Sequence, residues 1–570
     1  MKNVLYVPLD DRPVNLDDVI LLGKSAGLNL ITPNEQDIRN RIDSEKTVSE
    51  DQITSTSSPT YGNTANIRQF IWNNAGIVEG FIISIDMLAY GGLIGGRRLR
   101  TNGGGTYPHY DSSTTHLLEV IRQIKQMYPN KPVYVLDTIM RLATTAFADG
   151  LLFTAYSESR NFMGQPRQPF TASTTFNDIL YGYDLSSDGT PYGNTSTFNK
   201  DHYYFARQHK FKSNCYVLDQ LARCGYIDFL AIGVDDANTE GVQINEIRFA
   251  ERYITTFLGG IDGQNPNRAI ILPDADGLGH SLVARMANQL YRCGAKTRYR
   301  VRYYGPHGST IINPYEYMDV HENMMRHIDV IGGQCVAHAP DVEILAITAA
   351  DEASDAVSEV TTNAANCLAT AVIDFTGGGV GNAEVTEALL GNPYTGRVLG
   401  YSAWNTAGNK IGIALGMAQA RYAYLVSETQ PWALSTAVNA HGSLLFKRFL
   451  KDYYYKALAI VEIRQYAREH CIYTNVASMA DQNMLLFNSA SDYIHLQQML
   501  RNQMQAHMAT LSAKNAFLIG CAATSYDVRQ ISGNTWTLAG YISACLDYKN
   551  PDFIWGRAFE ITLSPSISLC

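Results

Sequence analysis

The 570-residue sequence predicts an α/β protein: a (β/α) barrel-like parallel sheet with a mainly helical C-terminal region, a doubly wound α/β sheet being the alternative. Three observations predict it. Short apolar runs rich in Val, Ile, Leu and Tyr recur along the chain, several of them apolar on both faces, as parallel strands covered by helices are. Between the runs lie stretches with apolar residues at three- and four-residue spacing, so the chain alternates strand and helix. Polar and acidic residues follow many different runs, which favours a barrel over a sheet with a single crevice.

Taken in order, residues 4–8 read as the first strand. The N-terminus turns acidic before an apolar targeting segment develops. The sequence Gly23-Lys24-Ser25-Ala26-Gly27 follows a helix-like stretch, 16–22, so it reads as a helix end and not as a nucleophile elbow. Further strands are expected at 80–85, 132–136, 227–234, 269–273, 299–304, 343–348, 370–375 and 397–402, with helices such as 117–127, 214–223 and 281–291 between them. Three segments break the rhythm. Residues 44–66 are Ser/Thr-rich and read as a loop, and 98–113, with Gly103-Gly104-Gly105, as a flexible connection. Residues 157–212 are an Asn/Thr/Gly-rich insertion scattered with aromatics, either a cover over a site or an excursion with its own core. After about 430 the pattern changes to long helices, 436–469 and 491–511, the second with a core stripe of Leu496, Leu500, Met504 and Met508. Trp555 to Leu563 reads as a closing strand. The expected division is 1–430, a barrel-like catalytic domain carrying the insertion, and 431–570, a helical C-terminal region.

Composition narrows the function classes. A hydrophobic share of 46% supplies an ordinary core, and a formal charge of −9 argues against nucleic-acid binding, which wants a basic face. No stretch of about 20 apolar residues is uninterrupted, so neither a membrane span nor a membrane partner is expected and the protein reads as cytoplasmic. The nine cysteines are scattered, with no Cys-x-x-Cys pair, and read as buried small hydrophobes. There is no His-Glu-x-x-His, no His-x-His and no Gly-x-Gly-x-x-Gly after the first strand, which argues against a local zinc site and a nicotinamide site. No cofactor or metal ligand is assigned, while the acidic strand ends leave an all-carboxylate Mg²⁺ or Ca²⁺ site open. Gly377-Gly378-Gly379-Val380-Gly381 lacks the lysine of a phosphate-binding loop and reads as a tight strand-to-helix passage.

The strand ends carry the chemistry. The first gives Asp10, Asp11, Arg12 and Asn15, the second Asp86 and Arg97, the third Asp137 and Arg141, the fourth Asp235 and Asp236, the fifth Asp274 and Asp276, and the last Trp404 and Asn405. A lone aspartate in such a place caps the following helix, but an adjacent pair cannot both do so. Carboxyls a few ångströms apart push one another's pKa values apart, as general acid/base chemistry needs. Asp235 and Asp236 are therefore the candidate catalytic pair. Asp10, Asp11, Arg12, Asn15, Asp86, Arg97, Asp274 and Asp276 would bind substrate, with Trp404 as a flat platform for a sugar ring and Asn405 as its hydroxyl reader.

These motifs resemble a bacterial family, domain of unknown function 4127. The resemblance rests on Pro-Leu-Asp-Asp-Arg-Pro-Val-Asn at 8–15, Ser84 to Ile94 followed by Arg97, Met140-Arg141, Gly233-Val234-Asp235-Asp236-Ala237, Ala403 to Asn409, and Arg557-Ala558-Phe559-Glu560. It covers most of the chain and implies little about function. The fifth strand end reads Asp274-Ala275-Asp276-Gly277, departing from the family's Gly-Ala-Asp-Glu. By analogy alone, an Asp pair after a strand is similar to sugar-cleaving barrels that act on N-acetylhexosamines. The expectation is a glycoside hydrolase acting on a small carbohydrate or glycoconjugate. A metal-dependent hydrolase using strand-end carboxylates and a non-catalytic sugar-binding protein are the alternatives.

Overall fold

A computed structural model describes residues 1–42, 59–105, 112–146, 148–428, 430–470, 490–517, 527–531, 534–538, 541–546 and 551–569. The loop expected at 44–66 and the connection at 98–113 fall partly outside these residues. All nine expected runs are strands, and two more join them. The first six are β1 (Lys2–Val7), β2 (Leu28–Ile31), β3 (Gly80–Ser84), β4 (Val133–Ile139), β5 (Phe229–Val234) and β6 (Ala269–Pro273), which pair in the order β2-β1-β3-β4-β5-β6. The next five are β7 (Thr297–Tyr304), β8 (Gly333–Cys335), β9 (Val342–Ile347), β10 (Ala369–Asp374) and β11 (Gly400–Ser402), ordered β11-β10-β9-β7-β8. Every pairing in both sheets is parallel. Strands β3, β4, β5, β6, β9 and β10 are buried along their whole length, which explains why their sequences are apolar on both faces.

Both sheets follow one plan. The first strand lies inside, the second goes to one edge and the third returns to the first strand's other side, the doubly wound order with its change of direction between β1 and β3 and between β7 and β9. Among the described residues no strand pairing joins the two sheets into a ring. They are joined instead through helices Leu278–Arg292, which follows β6, and Ala407–Leu425, which follows β11. Every residue of Ala407–Leu425 is buried. Its Gly408, Gly412 and Gly416 recur every fourth residue and so share one face. A Cβ on Gly408 would sit 1.8 Å from the Pro273 carbonyl oxygen, and one on Gly416 2.7 Å from His280, so only glycine lets the helix approach this closely.

The insertion has its own core, with Met163, Leu180, Tyr183, Tyr203 and Phe211 packed together around helix Lys200–Tyr216. The main core is continuous from Val4 to Ile567 and includes the C-terminal helices Pro431–Phe449 and Ala490–Ser512. Asp18, on the helix after β1, pairs with Lys447 and Arg448. Burial opposes the Asp18 charge, but Lys447, Lys451 and Arg448 outweigh it and hold the carboxyl far below the usual range. Among the described residues no helix is long and apolar enough to cross a membrane.

Candidate active site

The carboxyl ends of the two sheets meet around a cavity of about 360 Å³, within the roughly 300–1,000 Å³ of small-ligand sites. The loops after β1, β3, β4, β5 and β6 form one wall, and the loops after β7, β10 and β11 with the C-terminal hairpin form the other.

The first wall is built on Arg12. Its Nε donates to Asp10 Oδ2 at 2.9 Å, and its two terminal nitrogens reach both oxygens of Asp276, at 3.2 and 2.5 Å. Asn15 Nδ2 ties the two acids together, donating to Asp10 Oδ1 at 2.8 Å and Asp276 Oδ1 at 3.1 Å. Burial works against the Arg12 charge, yet Asp10, Asp276 and Glu560 raise it well above its ordinary value. This corner is a fixed ionic clamp.

Strand β5 ends at Val234, and the chain then turns through Asp236 at φ 39°, a left-handed conformation that Asp tolerates better than most residues. That turn frees both carboxyls from strand alternation and brings both to the cavity. Arg97 Nη1 lies 2.9 Å from Asp235 Oδ2, but neither atom is aligned for a hydrogen bond, and Arg97 Nε has no hydrogen-bond partner either. Burial pushes Asp235 up to about 6; Arg97 opposes the shift, and Asp236 adds to it. Asp236 is more open and sits 3.5 Å from Arg141 Nη1. Arg141 is itself held by the carbonyls of Ala143 and Thr144, at 3.1 and 2.8 Å. Two neighbouring carboxyls thus have different surroundings, one desolvated and one partly hydrated.

Much of the remaining lining is aromatic: Phe153, Tyr156, Tyr315, Trp555 and Phe559. Trp555 (φ 55°) and Gly556 (φ 66°) form the two-residue turn between strands Asp552–Ile554 and Arg557–Thr562, where both central residues must be left-handed. A tryptophan there costs about 1–2 kcal/mol relative to glycine. Its ring lies between Arg12 and Arg557, with centroid distances of 5.5 and 4.9 Å. Beyond the turn, side chains alternate: Arg557 and Phe559 line the cavity, while Glu560 accepts from the Val14 amide at 2.9 Å and from Lys451 at 2.6 Å. The chain's last hairpin is thereby locked under its first loop.

Of the residues assigned to catalysis or substrate binding from the sequence, Asp235, Asp236, Arg12, Arg97, Asp276 and Asn405 line the cavity, as does the strand-end Arg141. Asp10 and Asn15 stand behind them and orient Arg12. The other four are elsewhere. Asp11 accepts from the Asn40 amide at 3.0 Å, and burial with Asp10 pushes it up to about 8. Asp86 shares Lys210 with Asp137, at 2.7 and 2.8 Å. Asp274 accepts from the Gly277 amide at 2.8 Å at the start of helix Leu278–Arg292, and its other oxygen lies 3.3 Å from His327 Nε2. Trp404 is fully buried, 4.3 Å below the Lys451 ammonium, and is no platform; Asn405 at φ 69° turns the chain so that Trp404 enters the core and only Asn405 meets the cavity. The aromatic face comes from Trp555 instead, which the closing strand contained but its spacing did not mark. Lys410 was also missed. It is the fourth residue of the helix that follows the Trp404-Asn405 motif, and its ammonium donates to the Gly378 carbonyl at 2.7 Å.

Residues 4–161 and 197–564 match the family described as Protein of unknown function (DUF4127). The chain belongs to the DUF4127 family. Every residue lining the cavity of this DUF4127 member falls within the matched stretches, and the unmatched 162–196 lie inside the insertion. No curated protein matches the chain. Among the described residues no three His, Cys, Asp or Glu side chains are grouped to hold a metal ion.

Proposed function

We propose that this DUF4127 protein is a carbohydrate-active hydrolase, a glycoside hydrolase whose acid and base are Asp235 and Asp236. One observation carries the reading: adjacent carboxyls on a cavity wall, the buried one raised to about 6 and the other more exposed beside Arg141. Environments that push two carboxyls apart are what divides them into acid and base. Asp235 gives its proton to the glycosidic oxygen as the bond from that oxygen to C1 breaks. Asp236 accepts a proton from the water whose oxygen bonds to C1, or orients a substrate acetamido group that does so first. The two carboxyls then exchange protons with solvent to reset. Tyr156 and Trp555 offer apolar faces to a sugar ring, and Asn405 offers an amide to its hydroxyls.

A metal-dependent hydrolase has less support, because Asp10, Asp276, Asp235 and Asp236 each already face an arginine. The test is a screen of chromogenic glycosides followed by Asp235→Asn and Asp236→Asn. The expected result is a kcat lower by about 10²–10⁴ for each variant at unchanged fold. Unchanged turnover sinks the assignment. Sugar binding with no turnover in the wild type replaces it with a binding protein, and activity lost to a chelator replaces it with metal-assisted hydrolysis.

A further inference from the structure

Lys410 is 1% exposed, and nothing in the proposed chemistry uses it. Its ammonium has three donors. Among the described residues only the Gly378 carbonyl accepts from it, so two N–H bonds remain at the cavity wall. The acids nearest to it are engaged elsewhere. Asp374 accepts from the Thr376 amide and hydroxyl, at 2.8 and 2.6 Å, and from the Asn382 amide at 3.0 Å. Asp452 accepts from Arg448 and from the Ala403 amide, and Glu316 from the Gly408 amide at 2.8 Å.

Two backbone features converge on the same wall. The helix Ala407–Leu425, 19 residues long, begins there, and the first amides of a helix have no intrahelical acceptor and carry a partial positive charge. Glu316 takes the Gly408 amide and the Thr406 side chain takes that of Asn409, which leaves the Ala407 amide at the wall. Opposite it runs the glycine passage after β10, fastened by the Asn405 amide to the Gly379 carbonyl at 3.0 Å. A Cβ on Gly378 would meet nothing within 4 Å, and one on Gly379 only Asn405 backbone at 3.9 Å, so open space lies over both. The glycine run lacks a lysine in sequence, and the next βα unit supplies one in space.

We infer that this second-sheet wall is an oxyanion subsite, in which Lys410, the helix start and the Gly378–Gly379 backbone hold a phosphate or carboxylate group of the substrate. Arg97, 6% exposed with Nε and Nη1 outside any hydrogen bond, adds charge to the same cavity. The charged lining as a whole is Arg12, Arg97, Arg141, Lys410 and Arg557 against Asp235, Asp236 and Asp276, a cationic excess within an acidic protein. The inference deepens the glycosidase reading, on which it rests, by naming the substrate as an anionic sugar.

The experiment is calorimetric titration of the full chain with inorganic phosphate, glucuronate and, as the neutral control, methyl glucoside. One charged probe binds at least tenfold more tightly than the control, and which one does so identifies phosphate or carboxylate. Lys410→Met weakens that probe at least tenfold, and Gly379→Val, which fills the open space over the turn, does the same where Lys410→Met fails to fold. Asp235→Asn keeps the probe bound. Failure of both charged probes to outbind the neutral one overturns the subsite, as does wild-type affinity in folded Lys410→Met or Gly379→Val. A subsite that holds while Asp235→Asn leaves turnover intact overturns only the catalytic assignment.

Discussion

Two pairs of aspartates stand at strand ends of the same sheet and have opposite surroundings. Asp86 and Asp137, both 1% exposed, share the Lys210 ammonium; Thr138 Oγ1 donates to Asp86 at 2.9 Å and Asn214 Nδ2 to Asp137 at 2.8 Å. Every partner is aligned, and the cluster staples helix Lys200–Tyr216 to the ends of β3 and β4. Asp235 and Asp236 also have cations beside them, but Asp235 Oδ2 and Arg97 Nη1 are close without being aligned, and both acids border a cavity. A saturated acid cluster is a brace. An unsaturated one beside open space can still bind or transfer a proton.

The contrast breaks most sharply in stability. Lys210→Met leaves two carboxyls buried without their counter-charge and is expected to cost about 3–5 kcal/mol in urea unfolding. The two tryptophans divide in the same way: Trp404→Ala, in the main core, costs roughly 3–5 kcal/mol, whereas Trp555→Ala, whose ring borders the cavity and packs in a small cluster with Ile42, Ile94 and Ala148, costs less. Equal losses at the two tryptophans would erase the distinction between brace and site.

Next comes pH. Asp235 titrates at about 6 when folded and near 3.9 in an unfolded chain. Between those values the folded protein holds the extra proton, so this group makes stability fall as pH rises from about 4 to about 6, by on the order of 3 kcal/mol. Asp235→Asn should flatten that part of the stability curve. If Asp235 is the acid, activity declines over the same rise through about 6. Asp18, held low, acts in the other direction: its contribution is present above the ordinary carboxylate range and is lost as pH falls through its depressed folded value.

Arg97→Met sharpens the comparison further. Arg97 opposes the upward shift of Asp235, so its removal should carry the midpoint above 6 by about one unit, roughly 1.4 kcal/mol, readable in the pH profile or by carboxyl NMR. A midpoint that stays put means the pair is not electrostatically coupled. The smallest effect belongs to Trp555→Ala, which should raise KM about threefold with little change in kcat if the ring is a platform.

Particular residues show how far the sequence could be read. Most of the nine runs were legible because strands buried on both faces leave an unbroken apolar signature, whereas β7 is half-exposed and shows Tyr and Val alternating with Arg instead. β2 and β8 escaped because they are short edge strands, each with a single neighbour, and need little apolar sequence. Asp235 and Asp236 were legible because an adjacent acid pair after a strand is too many carboxyls for one helix cap. Asp86 and Asp274 looked alike in sequence and proved structural, because their partners Lys210 and His327 lie 124 and 53 residues away along the chain. Trp404 was misassigned for a local reason: one left-handed residue, Asn405, decides which neighbour faces the core.

By itself the sequence determined the α/β class, the strands and the family, and marked the acid pair as a candidate, since each depends on periodicity or on short motifs. Only the tertiary structure decided that two sheets share one cavity, that Trp555 and not Trp404 lines it, and that Lys410 meets a glycine turn from another βα unit. Hydrophobic burial is written residue by residue. Whether a charge is neutralised depends on neighbours within a few ångströms, and folding brings those from far along the chain.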